Sequence, residues 1–171
     1  MDIYFVIAQC IGGIALFILV LSLQKNEKEK LLKYQVLSSL LYALQYLFLN
    51  ALTGCFMNLA CMCRNFIFYQ YQDRKVPFYW LMITLFFMVG LSLVSYQGII
   101  SLFPMLAVVL YSIALWYRNV SIIRVVEVVS CSFFVIYNIV VLAIMGLIAT
   151  IIELVAALWA IYRFDIRNKK A

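Results

Sequence analysis

FFVIYNIVVLAIMGLIATIIELVAALWAIYRFDIR, residues 133–167, is the stretch whose reading decides the fold. It runs apolar to Leu142, turns through the uncharged residues 143–146, runs apolar again with a single charge at Glu153, and closes on Arg163, Asp165 and Arg167. A bilayer core of about 30 Å takes about 20 residues of apolar helix, and backbone crossing lipid must satisfy its own hydrogen bonds. The stretch therefore predicts a helical hairpin with an uncharged tip on one side of a membrane and a basic end on the other. A β-barrel would need polar residues at every second position, and these runs are continuous.

The rest of the chain repeats this pattern. With 68% hydrophobic and 12% charged residues and a mean hydropathy of +1.08, there is too little polar surface to solvate a folded monomer in water. The reading is an all-α integral membrane protein with seven spans, at 3–23, 32–50, 55–71, 77–96, 99–117, 122–142 and 147–164. Connections 51–54, 95–98 and 143–146 are uncharged, while twelve of the thirteen Lys and Arg residues lie in the others or at the span ends beside them. Lys25, Lys28, Lys30 and Lys33 follow the first span, Arg74 and Lys75 the third, Arg118 and Arg124 the fifth. Arg163, Arg167, Lys169 and Lys170 close the chain. The positive-inside rule makes these groups cytoplasmic, with the N-terminus outside and the C-terminus inside. Tyr69, Tyr71, Phe78, Tyr79, Trp80, Trp116, Tyr117 and Tyr162 fall where a cytoplasmic aromatic belt is expected.

The net charge of +6 is thereby matched to anionic headgroups at the cytoplasmic face, at about 1 kcal/mol per cation, and not to nucleic acid. The opening Met-Asp-Ile-Tyr lacks a basic n-region, so the first span is expected to be retained and not cleaved as a leader. No histidine occurs, nor any GxSxG, P-loop or HExxH pattern, which removes the common general base and the commonest nitrogen ligand. Cys10, Cys55, Cys61, Cys63 and Cys131 read as small apolar packing residues, Cys61 and Cys63 pointing to different sides of one helix. No enzyme activity, metal or cofactor is expected.

Sliding the chain by 92 residues over itself superposes the first three spans on the last three. Gly54 meets Gly146, Ala15 meets Ala107, Leu23 meets Leu115, Val36 meets Val128, Ser38 meets Ser130, Ala51 meets Ala143 and Asp73 meets Asp165. The reading is a first three-helix bundle over 1–76, a linker helix over 77–97 and a second bundle over 98–171, two parallel repeats about an axis along the membrane normal.

AQCIGGIA at 8–15, TGCFMNLACMCRNFIFY at 53–69, FPMLAVVLYSIALWYRN at 103–119 and VIYNIVVLAIMGLIATIIELVAALWAIYRFD at 135–165 resemble the bacterial YgjV-type inner-membrane proteins over almost the whole chain. The resemblance implies a multi-pass protein of the bacterial inner membrane. More remotely, the 3+1+3 plan is similar to SWEET sugar transporters and PQ-loop proteins, from which this chain departs: it has no Pro-Gln dipeptide and one intrahelical proline, Pro104. Sugar specificity is therefore not carried over.

Ionisable residues at membrane depth are costly unless paired or wetted. Arg64 and Glu153 fall there, and a salt bridge between them across the proposed axis is expected. Asn58 and Asn65, Tyr137 and Asn138, Thr150 and Gln9 add a central polar seam, in which Asn58, Cys61 and Asn65 share one helix face. Glu127, near Arg124, is expected to snorkel to the interface. Gly12, Gly13 and Pro104 are candidate hinges. The leading expectation is a transporter, a facilitator of a small polar solute through a central cavity. The alternative is a structural or regulatory membrane subunit whose seam only fixes packing. A membrane enzyme using Glu153 ranks third, and the oligomeric state is open.

Overall fold

In the computed structural model, residues 3–23, 28–71, 75–117 and 119–167 are described, without the side chains of 20, 22, 23, 28–33, 35, 120, 164 and 167. They form seven α-helices: α1 (Ile3–Leu23), α2 (Lys28–Phe48), α3 (Leu52–Gln70), α4 (Phe78–Val94), α5 (Leu102–Tyr117), α6 (Val120–Val140) and α7 (Ile144–Ala160). A 3₁₀ turn, Ile99–Ser101, leads into α5, and a π-helical turn, Ile161–Arg167, extends α7. No strand occurs among the described residues. Three stretches, Ile99–Tyr117, Ser121–Val140 and Ile144–Arg163, are long and apolar enough to cross a membrane, and Ile3–Leu19, Val36–Phe48 and Phe78–Val94 are shorter apolar helices.

Large side chains such as Phe17, Phe86, Val94, Val155 and Trp159 stand exposed around the outside, a surface suited to lipid and not to water. The inner contacts are made by small residues instead. Ala8, Ala15, Ala107 and Ala143 are fully buried, which lets helix backbones approach closely where lipid removes the hydrophobic drive between helices.

Helix α1 packs on α2 and α2 on α3; α5 packs on α6 and α6 on α7; α1 meets α7 and α3 meets α5. The six helices thus form a closed ring, and α4 packs outside it against α3 and α5. Helix α6 starts where Asn119 accepts from the backbone N–H of Ser121 and Ile122 at 3.1 and 3.4 Å, a side-chain cap on an orphan helix start.

Local geometry recurs 92 residues apart. Ser38 Oγ donates to the Ala15 carbonyl at 2.9 Å, and Ser130 Oγ to the Ala107 carbonyl at 3.0 Å. Asn50 and Leu142 both take positive φ, 54° and 55°. After them, Ala51 N–H bonds to Tyr46 O and Ala143 N–H to Asn138 O. Asn58 donates back to Gly54 O at 2.9 Å, and Thr150 to Gly146 O at 2.8 Å. These left-handed turns reverse the chain within very few residues. For that reason α3 and α7 begin at Leu52 and Ile144, three residues before the starts expected at 55 and 147. Asparagine tolerates positive φ; leucine pays a steric penalty.

The basic end is partly outside the described residues: Lys25, Arg74, Arg118, Lys169 and Lys170 lie outside them, as do the side chains of Lys28, Lys30, Lys33 and Arg167. Where it is described, aromatic rings gather. Trp116 donates to Val76 O at 2.8 Å, Trp80 donates to the Tyr71 hydroxyl at 3.1 Å, and the Lys75 ammonium sits 4.2 Å from the Trp116 ring centroid. Arg124 pairs with Asp165 at 3.0 Å.

Of the candidate hinges, Gly12 has a packing role. A Cβ on Gly12 would lie 2.5 Å from the Gln45 carboxamide, so glycine there lets α1 and α2 close. Pro104 falls in the first turn of α5, where its missing N–H is tolerated. Gly13 has nothing within 4 Å of a built Cβ.

Gly54 makes the sharpest packing test. A Cβ there would meet the Tyr46 ring at 2.8 Å and the Tyr137 ring at 2.9 Å, both buried. Gly54→Ala is expected to destabilise the protein by about 1–3 kcal/mol through overpacking, whereas Gly13→Ala should be neutral or stabilise by up to about 1 kcal/mol. Thermal unfolding in detergent reads the opposite signs.

Candidate functional site

The ring of helices encloses a cavity of about 440 Å³. Every ring helix contributes to its wall: Leu19 from α1, Tyr42 and Tyr46 from α2, Asn58, Cys61, Arg64, Asn65 and Phe68 from α3, Tyr111 from α5, Glu127 and Phe134 from α6, Thr150 and Glu153 from α7. Helix α4 contributes none. The lining extends from Gly146, near the hairpin end, to Tyr71 and Val76, where the chain enters the basic end.

At the hairpin end the cavity is capped by hydrogen bonds between the two triplets. The Tyr46 hydroxyl donates to Asn138 Oδ1 at 2.5 Å, and Asn138 Nδ2 reaches Thr150 Oγ1 at 3.2 Å. Gly54 N–H donates to the Tyr137 hydroxyl at 2.9 Å. Gln9 donates to Leu142 O at 3.0 Å and accepts from Met145 N–H at 3.2 Å, tying α1 to the α6–α7 turn. Gln97 donates to Asn50 O at 3.0 Å, so both left-handed turn residues have their carbonyl held by a glutamine amide. Of the predicted seam, then, Gln9, Tyr137 and Asn138 belong to this cap, while Asn58, Asn65, Arg64, Thr150 and Glu153 face the cavity. Asn58, Cys61 and Asn65 all line the cavity.

Arg64 is 4% exposed and does not pair with Glu153. Its Nε and Nη2 donate to Asn65 Oδ1 at 3.2 and 3.0 Å, its Nη1 donates to Ser112 Oγ at 3.1 Å, and its Cζ lies 5.2 Å from the Tyr111 ring centroid. The expected bridge fails because a neighbouring amide and a serine on α5 take up the planar guanidinium, which matches side-on acceptors well.

Glu127 corrects a second expectation. It does not reach out to Arg124, which is paired with Asp165, but turns inward to the cavity. Its Oε1 accepts from the Cys131 thiol at 3.8 Å. Single ligand atoms of Glu127, Cys131 and Glu153 all lie within 4.8 Å of one another, so two carboxylates and a thiol could share a cation. The signal was present in the sequence: Glu127, Cys131, Phe134 and Asn138 fall at i, i+4, i+7 and i+11, one face of α6. The Tyr42 hydroxyl, also lining the cavity, is fully buried and has no hydrogen-bond partner.

A profile of the Imp-YgjV family, described as a bacterial inner membrane protein, matches residues 6–168. This chain belongs to that family. The YgjV-type resemblance read from the sequence is thereby established, and with it residence in a bacterial inner membrane. No curated protein and no solved structure matches the chain, so the cavity of this YgjV-type protein is interpreted from its own residues.

The cap generates a coupling test. Tyr46→Phe removes a donor, and Asn138→Ala strands the Tyr46 hydroxyl in a buried site, at a cost of about 1–3 kcal/mol for the second change. The double variant should fall short of the summed losses by about 0.5–1.7 kcal/mol, the range for contacting groups and for bonds between membrane helices. Chemical or thermal unfolding of the four proteins measures this, and full additivity would show that the two groups do not interact.

Proposed function

We propose that this protein is a carrier, a facilitator of a small polar solute, in which two parallel three-helix bundles joined by α4 enclose the route. The observation that carries the reading is the cavity: six helices line it, polar groups concentrate on its wall, and a hydrogen-bonded cap closes one end. Polar side chains gathered around a space of this size are what a solute site needs, since they replace the solute's water. Hydrogen bonds and backbone angles recurring 92 residues apart support the 3+1+3 repeat plan, which is a common architecture for alternating access by rocking of halves.

In this reading seven helices span the membrane, the basic end is cytoplasmic, and the N-terminus lies outside. The twelve cations at that end support the orientation, and the cavity then faces the cytoplasm with its cap toward the outside. The chemistry proposed is transport and not catalysis.

A structural or regulatory subunit is the second reading, favoured by the manner in which Arg64 is held. Three of its N–H groups are used on Asn65 and Ser112, which is what a packing lock between α3 and α5 would do.

Uptake or counterflow in proteoliposomes separates the two. The carrier reading expects solute flux that falls at least about tenfold in Glu153→Gln, a change in binding free energy of about 1.4 kcal/mol, while size-exclusion behaviour stays that of the parent. The subunit reading expects no flux for any solute of a broad panel, together with a stoichiometric partner on purification.

A further inference from the structure

We infer that the cavity is selective for a small monovalent organic cation, an alkylammonium held against Glu127 and Glu153 with its apolar groups on aromatic rings. The inference rests on the carrier reading and gives its solute a chemical class.

Charge is the first argument. Neither Glu127 nor Glu153 has a Lys or Arg within 4.0 Å among the described residues, because Arg64 is bonded to Asn65 and Ser112 and Arg124 to Asp165. Two carboxylates with ligand atoms within 4.8 Å of each other repel, and the repulsion is relieved by a proton on one of them or by a cation between them. With both carboxylates ionised against one guanidinium, the cavity carries one negative charge, open to a cation that takes the place of the proton. A single monovalent cation neutralises it, whereas a divalent ion is matched only if it also displaces the Cys131 proton.

The walls are the second argument, and they are independent of the first. Tyr42, Phe68, Tyr111 and Phe134 line the same cavity as the carboxylates. An aromatic face attracts an ammonium or guanidinium by about 0.5–2 kcal/mol, the larger value applying when the cation is desolvated. Arg64 over Tyr111 is this contact already made within the site. The Tyr42 hydroxyl, fully buried and without a partner, supplies an oxygen acceptor for an N–H or hydroxyl of the solute. A volume of about 440 Å³ falls in the range of small-molecule sites and far exceeds that of a bare metal ion. The Cys131 thiol, the third member of the cluster, is engaged as a donor to Glu127.

The test uses the purified full-length protein in nanodiscs, with equilibrium binding of choline, its uncharged carbon isostere, and zinc and manganese chloride. Choline is expected to bind at least about tenfold tighter than the isostere. Glu127→Gln and Glu153→Gln should each lower choline binding by about tenfold or more, and Tyr42→Leu by several-fold. Should Glu153→Gln fail to fold, Glu127→Gln and the parent's choline-to-isostere ratio decide. Equal binding of choline and the isostere overturns the inference. So does tight zinc or manganese binding that is lost in Cys131→Ser, with none for choline. Proteoliposome uptake then separates the two proposals: choline binding without any flux removes the carrier and keeps the cation site, whereas flux of a neutral or anionic solute that falls in Glu153→Gln, with no choline binding, removes the cation site and keeps the carrier.

Discussion

The Tyr46 hydroxyl on Asn138 is the contact on which the rest of the structure depends. Tyr46 on α2 and Asn138 on α6 stand 92 residues apart, the spacing at which the Ser38 and Ser130 bonds recur. Their bond at 2.5 Å, with Tyr46 and Tyr137 rings 5.9 Å apart beside it, joins the middle helices of both triplets at one end. In lipid there is no hydrophobic pressure to hold two helices together, so a hydrogen bond and close small-residue packing must do it. Gly54 and Gly146, next to these rings, let the hairpins approach. Because the two middle helices are joined at the hairpin end and the cavity wall reaches to Tyr71 and Val76 at the other, a space opens between them.

Much of this was legible in the sequence. The apolar runs, the charge-free tips and the basic ends of 133–167 predict the helices, because lipid leaves backbone few alternatives. The register of 92 pairs Ser38 with Ser130 and Asn58 with Thr150 before any contact is known, and both pairs make matching backbone bonds. The site was less legible, and for a physical reason. Depth along a helix is read by counting residues, but partners depend on rotation about the helix and on the helix opposite. Glu127 was read by its neighbour Arg124, although its i+4 and i+7 companions placed it on the inward face. The partner of Arg64 was unreadable, since Ser112 becomes adjacent only when α3 packs on α5.

Polar residues in this protein meet two different fates, and the difference separates framework from site. At the cap Tyr46, Asn138, Thr150, Tyr137 and Gln9 are linked in bonds of 2.5 to 3.2 Å, while the buried Gln45 Oε1 beside them has no partner. Such networks rigidify a packing arrangement when each member is satisfied. Around the cavity the pattern is different. The Tyr42 hydroxyl has no partner, and two carboxylates approach each other without a neutralising Lys or Arg. The three charged residues that line the cavity, Arg64, Glu127 and Glu153, come from α3, α6 and α7 and face one space. Chance burial would scatter them among helix faces, and a purely structural role would pair them with one another. Arg64 instead finds neutral acceptors, leaving neither carboxylate with a Lys or Arg partner among the described residues, and the proposed cation preference rests on that separation of the one cation from the two anions.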